Sequence, residues 1–213
     1  MNYRHAFHAG NFADLLKHAL VLELIGALTR SGPQLQVLDT HAGAGLYDLH
    51  GDAARRTGEA VLGVAKLMTA KPVPGGLEPL LTAVRRVNAP GKLRYYPGSP
   101  LLIAGALRPT DRYLGCELHP DDVRALEASL SGVSHARVMA SDGWRLVDEH
   151  LSGPPIQSLV LVDPPYEMPD DLARAVRLIG QCVRRDPSIV VAVWLPIKDL
   201  ASFDAFRDRK SVV

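Results

Sequence analysis

Four short apolar runs in this chain each close on an acid. Leu35-Gln36-Val37-Leu38-Asp39 is the first, Tyr113-Leu114-Gly115-Cys116-Glu117 the second, residues 136–140 before Ser141-Asp142 the third, and residues 156–162 before Asp163 the fourth. A fifth run, 188–195, stops at Pro196. Apolar runs of this length without polar alternation read as strands buried on both faces. Between them, residues 120–130, 144–151 and 170–184 carry helical patterns. Residues 11–29 place Leu15, Leu16, Ala19, Leu20, Leu22, Leu24, Ile25 and Leu28 on a helix with one broad buried face. Strands alternating with helices predict a parallel sheet covered on both faces, with ligands bound beyond the carboxyl ends of the strands. One acid at such an end caps a helix or makes a turn. Four in series put Asp39, Glu117, Asp142 and Asp163 along one rim.

The 213 residues, 47% hydrophobic, are enough for one buried core and too apolar for a disordered tail. No window reaches the ~18–20 apolar residues of a membrane span, and Met1-Asn2-Tyr3-Arg4-His5 is no signal peptide, so a cytoplasmic protein with no membrane partner is expected. Cys116 and Cys182 lie far apart and suit buried thiols rather than a disulfide. The spacing of His5, His8 and His18 fits no common zinc pattern, and no metal is expected.

The formal net charge of +1 conceals an asymmetry. Residues 53–112 carry ten Lys/Arg against Glu59, Glu78 and Asp111, whereas residues 113–213 carry 11 Lys/Arg against 15 acids. A basic segment inside a near-neutral chain is suited to a polyanion, or is a set of solvated helix faces. The interval after the first strand is too long for one crossover. Residues 61–68 and 77–87 read as helices separated by Lys71-Pro72-Val73-Pro74-Gly75-Gly76. The organisation predicted is a main domain of residues 1–45 and 98–213 with a helical insertion over residues 46–97.

The sharpest chemical signal is Asp163-Pro164-Pro165-Tyr166, directly after the fourth strand. Successive prolines fix an extended backbone and remove two N–H donors, so local carbonyls project without internal partners. Asp163 and a proline carbonyl, that of Pro164, can accept both hydrogens of an exocyclic amine while Tyr166 stacks on the base. Such an amine shares its lone pair with the ring and is a poor nucleophile. Acceptors that hold it and take its proton favour attack on a sulfonium methyl. The turn Asp39-Thr40-His41-Ala42-Gly43-Ala44-Gly45 lets backbone approach a nucleoside, and without a full GxGxxG it disfavours a dinucleotide. Glu117 can accept both ribose hydroxyls, and Asp142 an adenine amine.

Several blocks together make the chain resemble a known family. Tyr3-Arg4-His5-Ala6-Phe7-His8-Ala9-Gly10-Asn11, Ala13-Asp14, Leu16-Lys17-His18, the Asp39 to Gly45 turn, Arg94-Tyr95-Tyr96-Pro97-Gly98-Ser99-Pro100, Glu117-Leu118-His119-Pro120 and Asp163-Pro164-Pro165-Tyr166-Glu167-Met168 are similar to the RlmJ-type 23S rRNA adenine-N6 methyltransferases. The resemblance implies a Rossmann-like S-adenosylmethionine-dependent methyltransferase fold with a small helical insertion. It also implies methyl transfer from S-adenosyl-L-methionine to N6 of an adenine in 23S ribosomal RNA, adenine 2030 in the family, by a monomer. Carried over residue by residue, the cofactor contacts fall on His18, His41, Ser99, Glu117, Asp142 and Gly143. The proton acceptor falls on Asp163, and Tyr3 matches a position that influences RNA methylation. The residues alone favour Glu117, Asp142 and Asp163. By itself His18 reads as an ordinary helix histidine, and Ser99 equally as a helix N-cap.

Other activities share parts of this pattern. The same Pro-Pro-Tyr turn serves DNA amino-methyltransferases and glutamine N5-methyltransferases, and the basic segment would also suit a nucleic-acid-binding protein without catalysis, as in uptake or use of foreign DNA. Methyltransferases of this fold ordinarily add a final strand pair after the fifth strand, and that pair is expected to be missing here. An unprotected edge with Val190, Val191 and Val193 predicts association through that strand.

Overall fold

The computed structural model of the chain describes residues 4–30, 32–195 and 204. After a short 3-10 turn at His5–Phe7, the Asn11 side chain accepts from the Asp14 backbone N–H and starts helix α1 (Phe12–Thr29). Strand β1 (Leu35–Asp39) follows, buried along its whole length. The chain then leaves the sheet through strand β2 (Leu46–Asp48) and helices α2 (Asp52–Thr57), α3 (Glu59–Leu62), α4 (Val64–Thr69) and α5 (Glu78–Arg86). It returns on strand β3 (Tyr95–Pro97), which pairs antiparallel with β2, so residues 46–97 begin and end side by side.

Helix α6 (Ser99–Ala106) leads into β4 (Arg112–Glu117), α7 (Pro120–Ser129), β5 (Ala136–Ala140), α8 (Leu146–His150), β6 (Gln157–Val162), α9 (Asp171–Arg185) and β7 (Val190–Val193). Five strands form one sheet in the order β5-β4-β1-β6-β7, and every pairing is parallel. The order reverses beside β1, and the turns after β1 and β6 flank that switch point, where doubly wound sheets bind ligands. One core joins Val21 and Ile25 of α1 with Ile103, Leu126, Val37 and Leu159. The other face packs Leu146, Leu178 and Ile179 on Leu38, Leu114 and Val160. This is the parallel sheet covered on both faces that the strand pattern predicts, and the Rossmann-like fold that the resemblance implies.

A third cluster holds the segment between β2 and β3. Val64, Leu67, Leu80, Leu81 and Val84 pack with Tyr47 and Tyr96, and also with Ala9 of the N-terminal arm and Leu102 of α6. The predicted single helix over 61–68 is broken at Gly63. A Cβ there would lie 2.0 Å from the Gly10 carbonyl oxygen, and the next amide, Val64 N–H, donates to that same oxygen at 2.8 Å. Close backbone approach to the arm, rather than local propensity, sets the break. The predicted helix over 144–151 likewise divides into a 3-10 turn, Gly143–Arg145, and α8. Among the described residues β7 pairs with β6 alone, and no helix is long and apolar enough to cross a membrane.

Candidate active site

A cleft of about 580 Å³ opens at the carboxyl ends of the strands. The turn after β1, Glu117, the Asp142–Trp144 turn and the Asp163–Met168 turn line it, with α1 and the His5–His8 arm along one side. His18, His41, Ser99, Glu117, Asp142, Gly143, Asp163, Pro164 and Tyr166 all line this one cleft. Tyr3 lies outside the described residues.

Glu117 ends β4 and is fixed by three backbone donors. Its Oε2 accepts from Gly43 N–H at 2.9 Å, and its Oε1 from Leu118 and His119 N–H at 2.7 and 2.8 Å. A carboxylate offers about four lone-pair sites. Room is left for a further strong donor on Oε2. Asp142 accepts from Trp144 N–H through Oδ1 at 3.1 Å, which caps the 3-10 turn and leaves Oδ2 for a ligand. The cap therefore does not use up the carboxylate. Gly143 is buried against the turn after β1, where a Cβ would stand 1.7 Å from the Thr40 carbonyl oxygen.

His41 is held by its neighbours in one tautomer. The Thr40 hydroxyl donates to the Leu161 carbonyl at 3.0 Å, so its oxygen accepts from His41 Nδ1 at 2.8 Å and Nε2 keeps its lone pair. Trp144 meets the ring edge-on at 5.2 Å. Burial disfavours the imidazolium and brings the His41 pKa down to about 4. His18 is only 1% exposed, stacked on Tyr96 with a 2.7 Å hydrogen bond between its Nδ1 and the phenol oxygen. Burial lowers its pKa to about 3. His5 and His8 go instead to Asp14 and Glu59, each at 2.9 Å, so the three N-terminal histidines serve separate partners.

The rim of four acids predicted from the strand ends is a rim of three. Asp39 is 1% exposed and turns beneath the cleft, where Ser99 Oγ and the Tyr113 hydroxyl donate to its Oδ2 at 2.9 and 3.1 Å. Two hydroxyl donors make that burial possible, although it still raises the Asp39 pKa to about 6. Ser99 is the first residue of α6 and Gly98 is its N-cap, so the serine hydroxyl serves Asp39 and not the helix end.

Asp163 follows β6, and its Oδ2 accepts from Lys17 Nζ at 2.6 Å. The same ammonium lies 3.2 Å from Asp14 Oδ1. Burial opposes the charge on Lys17, but Asp163 and Asp14 outweigh it and hold its pKa well above the ordinary value. Pro164 is buried, and neither proline carbonyl of the turn takes a protein donor among the described residues. Tyr166, at φ 53°, is anchored by its hydroxyl donating to the Trp194 carbonyl at 2.6 Å. Lys17 is the functional candidate that the sequence reading passed over. Its signal is the spacing: Asp14 and Lys17 stand three apart at the start of a largely apolar helix, where an opposite-charge pair shares one face.

Comparison with known proteins adds an independent line. A family model described as "Ribosomal RNA large subunit methyltransferase D, RlmJ" matches residues 32–211. Two relatives named Ribosomal RNA large subunit methyltransferase J are similar to the chain. That of Escherichia coli (strain K12) is 40% identical over 199 residues, covering 92% of this chain and 70% of the relative. That of Haemophilus influenzae is 36% identical over 198 residues with the same coverage. A crystal structure of a Legionella pneumophila protein superposes with a TM-score of 0.89 at 28% identity, covering 97% of this chain and 76% of that one.

Proposed function

Because the chain belongs to the RlmJ family of ribosomal RNA large subunit methyltransferases, we propose that it transfers a methyl group from S-adenosylmethionine to N6 of an adenine in large-subunit ribosomal RNA. One observation carries this reading: the Asp163-Pro164-Pro165-Tyr166 turn and the strand-end acids Glu117 and Asp142 line the same cleft. Amine acceptors and nucleoside acceptors are thereby brought within one ligand-sized space.

The donor set fits S-adenosylmethionine. Asp142 Oδ2 suits the adenine amine, Glu117 Oε2 a ribose hydroxyl, and His41 Nε2, neutral with its lone pair kept, suits the ammonium of the methionine part. Ser99, its proton committed to Asp39, likewise presents only lone pairs. When bound, the cofactor supplies an electrophilic methyl group on a sulfonium. Asp163 and the Pro164 carbonyl hold the two hydrogens of the target amine and draw its lone pair out of conjugation, and Asp163 is placed to receive the proton released. Tyr166 stacks on the base, its ring oriented by the Trp194 carbonyl.

Residues 46–97 act in this reading as an insertion that grips RNA. Arg55, Arg56, Lys66, Arg85 and Arg86 are exposed there, and α2 packs on the 3-10 turn that reaches the cleft. Phosphates flanking a flipped adenine would meet these cations.

Competition tests the substrate class. With labelled cofactor and equal amounts of protein-free 23S RNA, duplex DNA and a release-factor-like protein, label should enter RNA. Entry into DNA or protein would assign the Pro-Pro-Tyr turn to another amine. Failure of the folded protein to bind the cofactor in calorimetry would favour a nucleic-acid-binding protein without catalysis.

A further inference from the structure

Asp14 is a carboxylate of α1 that is only 2% exposed. Its Oδ2 accepts from His5 Nε2 and from Gly10 N–H, both at 2.9 Å. Its Oδ1 lies 3.2 Å from Lys17 Nζ, the ammonium that donates to Asp163 at 2.6 Å. One side chain thus holds the N-terminal arm at two points and the lysine that touches Asp163. Burial alone would raise its pKa, but His5, His18 and Lys17 reverse this and keep it ionised, well below the usual carboxylate range.

A buried charge is costly unless it is paired, and helix packing alone would not require one here. An apolar residue at position 14 would serve the fold of α1 without that cost. The arrangement makes sense for the neighbour instead. Lysine is a point charge on a flexible four-carbon stem, and a single partner leaves its position loosely defined. Two carboxylates on either side of the ammonium fix where it stands. They also divide its charge, so that Asp163 is not left as the sole counter-ion and keeps lone pairs for an incoming amine.

We propose that Asp14 is a positioning residue for the methyl-transfer site, acting through Lys17 to set the place and the share of charge that the ammonium offers Asp163. This rests on the reading of Asp163 as the amine acceptor. Asp14 itself meets neither cofactor nor base in this role; its effect is carried by the ammonium.

A double-mutant cycle on the full chain tests it, with kcat, KM for RNA and calorimetric cofactor affinity measured for Asp14→Asn, Lys17→Met and both together. Asn keeps the size of Asp14 and an oxygen for Gly10 N–H while removing the charge. The expected result is a fall in kcat of about tenfold to a hundredfold for Asp14→Asn, the scale of a slightly misplaced catalytic group, with cofactor affinity within about threefold. In the Lys17→Met background the same change should lower kcat no further, because the two residues act as one unit. Independent, multiplying losses, or an unchanged kcat with only a lower melting temperature, would overturn the proposal. Should Asp14→Asn not fold, Asp14→Glu takes its place: it keeps the charge but moves it by one methylene, and wild-type kcat there would overturn the proposal equally. An unaltered chain that binds cofactor but methylates no RNA would refute the underlying reading, whereas an active chain with multiplying losses would refute the role of Asp14 alone.

Discussion

Tyr166 stands in the left-handed backbone region, at φ 53°, directly after two prolines. A non-glycine residue held there costs on the order of 1 kcal/mol, and the 2.6 Å bond from its hydroxyl to the Trp194 carbonyl helps hold it. Ring and hydroxyl therefore have separable jobs. Tyr166→Phe should lower stability by about 1 kcal/mol and slow RNA methylation only a few-fold. Tyr166→Ala, which removes the stacking face, should slow it by about tenfold to a hundredfold, in line with ~1–3 kcal/mol per stacked base, with cofactor affinity unchanged. Rates on RNA beside calorimetry with cofactor check both, and equal effects from the two variants would deny the ring its role. The acids Glu117, Asp142 and Asp163 are legible in the sequence because each stands at or just past the end of an apolar run. Asp39 has the same sequence signature but a different place, since Ser99 and Tyr113 supply it with hydroxyl donors from 60 and 74 residues away. That pairing is tertiary and leaves no local trace.

Among elements, the inner strands β1, β4 and β6 follow from their apolar runs, because a strand buried on both faces must be apolar; the edge strands β5 and β7 have similar runs but are only partly covered, which the pattern alone does not show. Helix α6 does not follow in the same way. Its sequence, Ser99-Pro100-Leu101-Leu102-Ile103-Ala104-Gly105-Ala106, is apolar on all sides, so periodicity cannot separate it from a buried strand. Strands β2 and β3 have three residues each, too few to alternate, and their pairing is sustained by neighbours such as Leu49 N–H donating to the Arg94 carbonyl. The break between α3 and α4 arises where Gly63 meets the Gly10 carbonyl, a contact of the arm with a distant helix. Helix α1 was predicted, but its pattern read as a simple buried face. It also exposes Phe12, Leu16 and Leu20, and it carries the Asp14–Lys17 pair into the cleft. Hydrophobic pattern reports which elements exist; it reports poorly on what they are packed to hold.

For the whole molecule, buried titratable groups at the cleft tie stability to pH. His18 and His41 have folded pKa values near 3 and 4, below the ordinary 6.5, so between these values the unfolded chain binds two protons that the folded chain refuses. Asp39 works the other way, since its folded value of about 6 lies above 3.8 and the folded chain holds one proton more there. Near pH 5 the balance is about one proton in favour of the unfolded state, or about 1.4 kcal/mol of stability lost per pH unit as the solution is acidified. Urea unfolding between pH 6 and 4.5 checks this; a flat or opposite dependence would mean that the histidines are not held neutral. The same buried, neutral imidazoles suit contact with a cationic methionine group. The near-zero net charge reads at this scale as two opposed parts, a basic stretch that includes the exposed arginines of residues 46–97 and a more acidic remainder that supplies Glu117, Asp142 and Asp163.

The proposed reaction, methylation of adenine N6 in RNA with Asp163 as the proton acceptor, is open to one direct measurement. The direct measurement is transfer from labelled S-adenosylmethionine to protein-free 23S RNA, followed by digestion to nucleosides, for the unaltered chain and for Asp163→Ala. The expected result is label in N6-methyladenosine with the unaltered chain and a loss of at least about a hundredfold in the variant. Label in a different nucleoside, or a variant that methylates at the full rate, would contradict it.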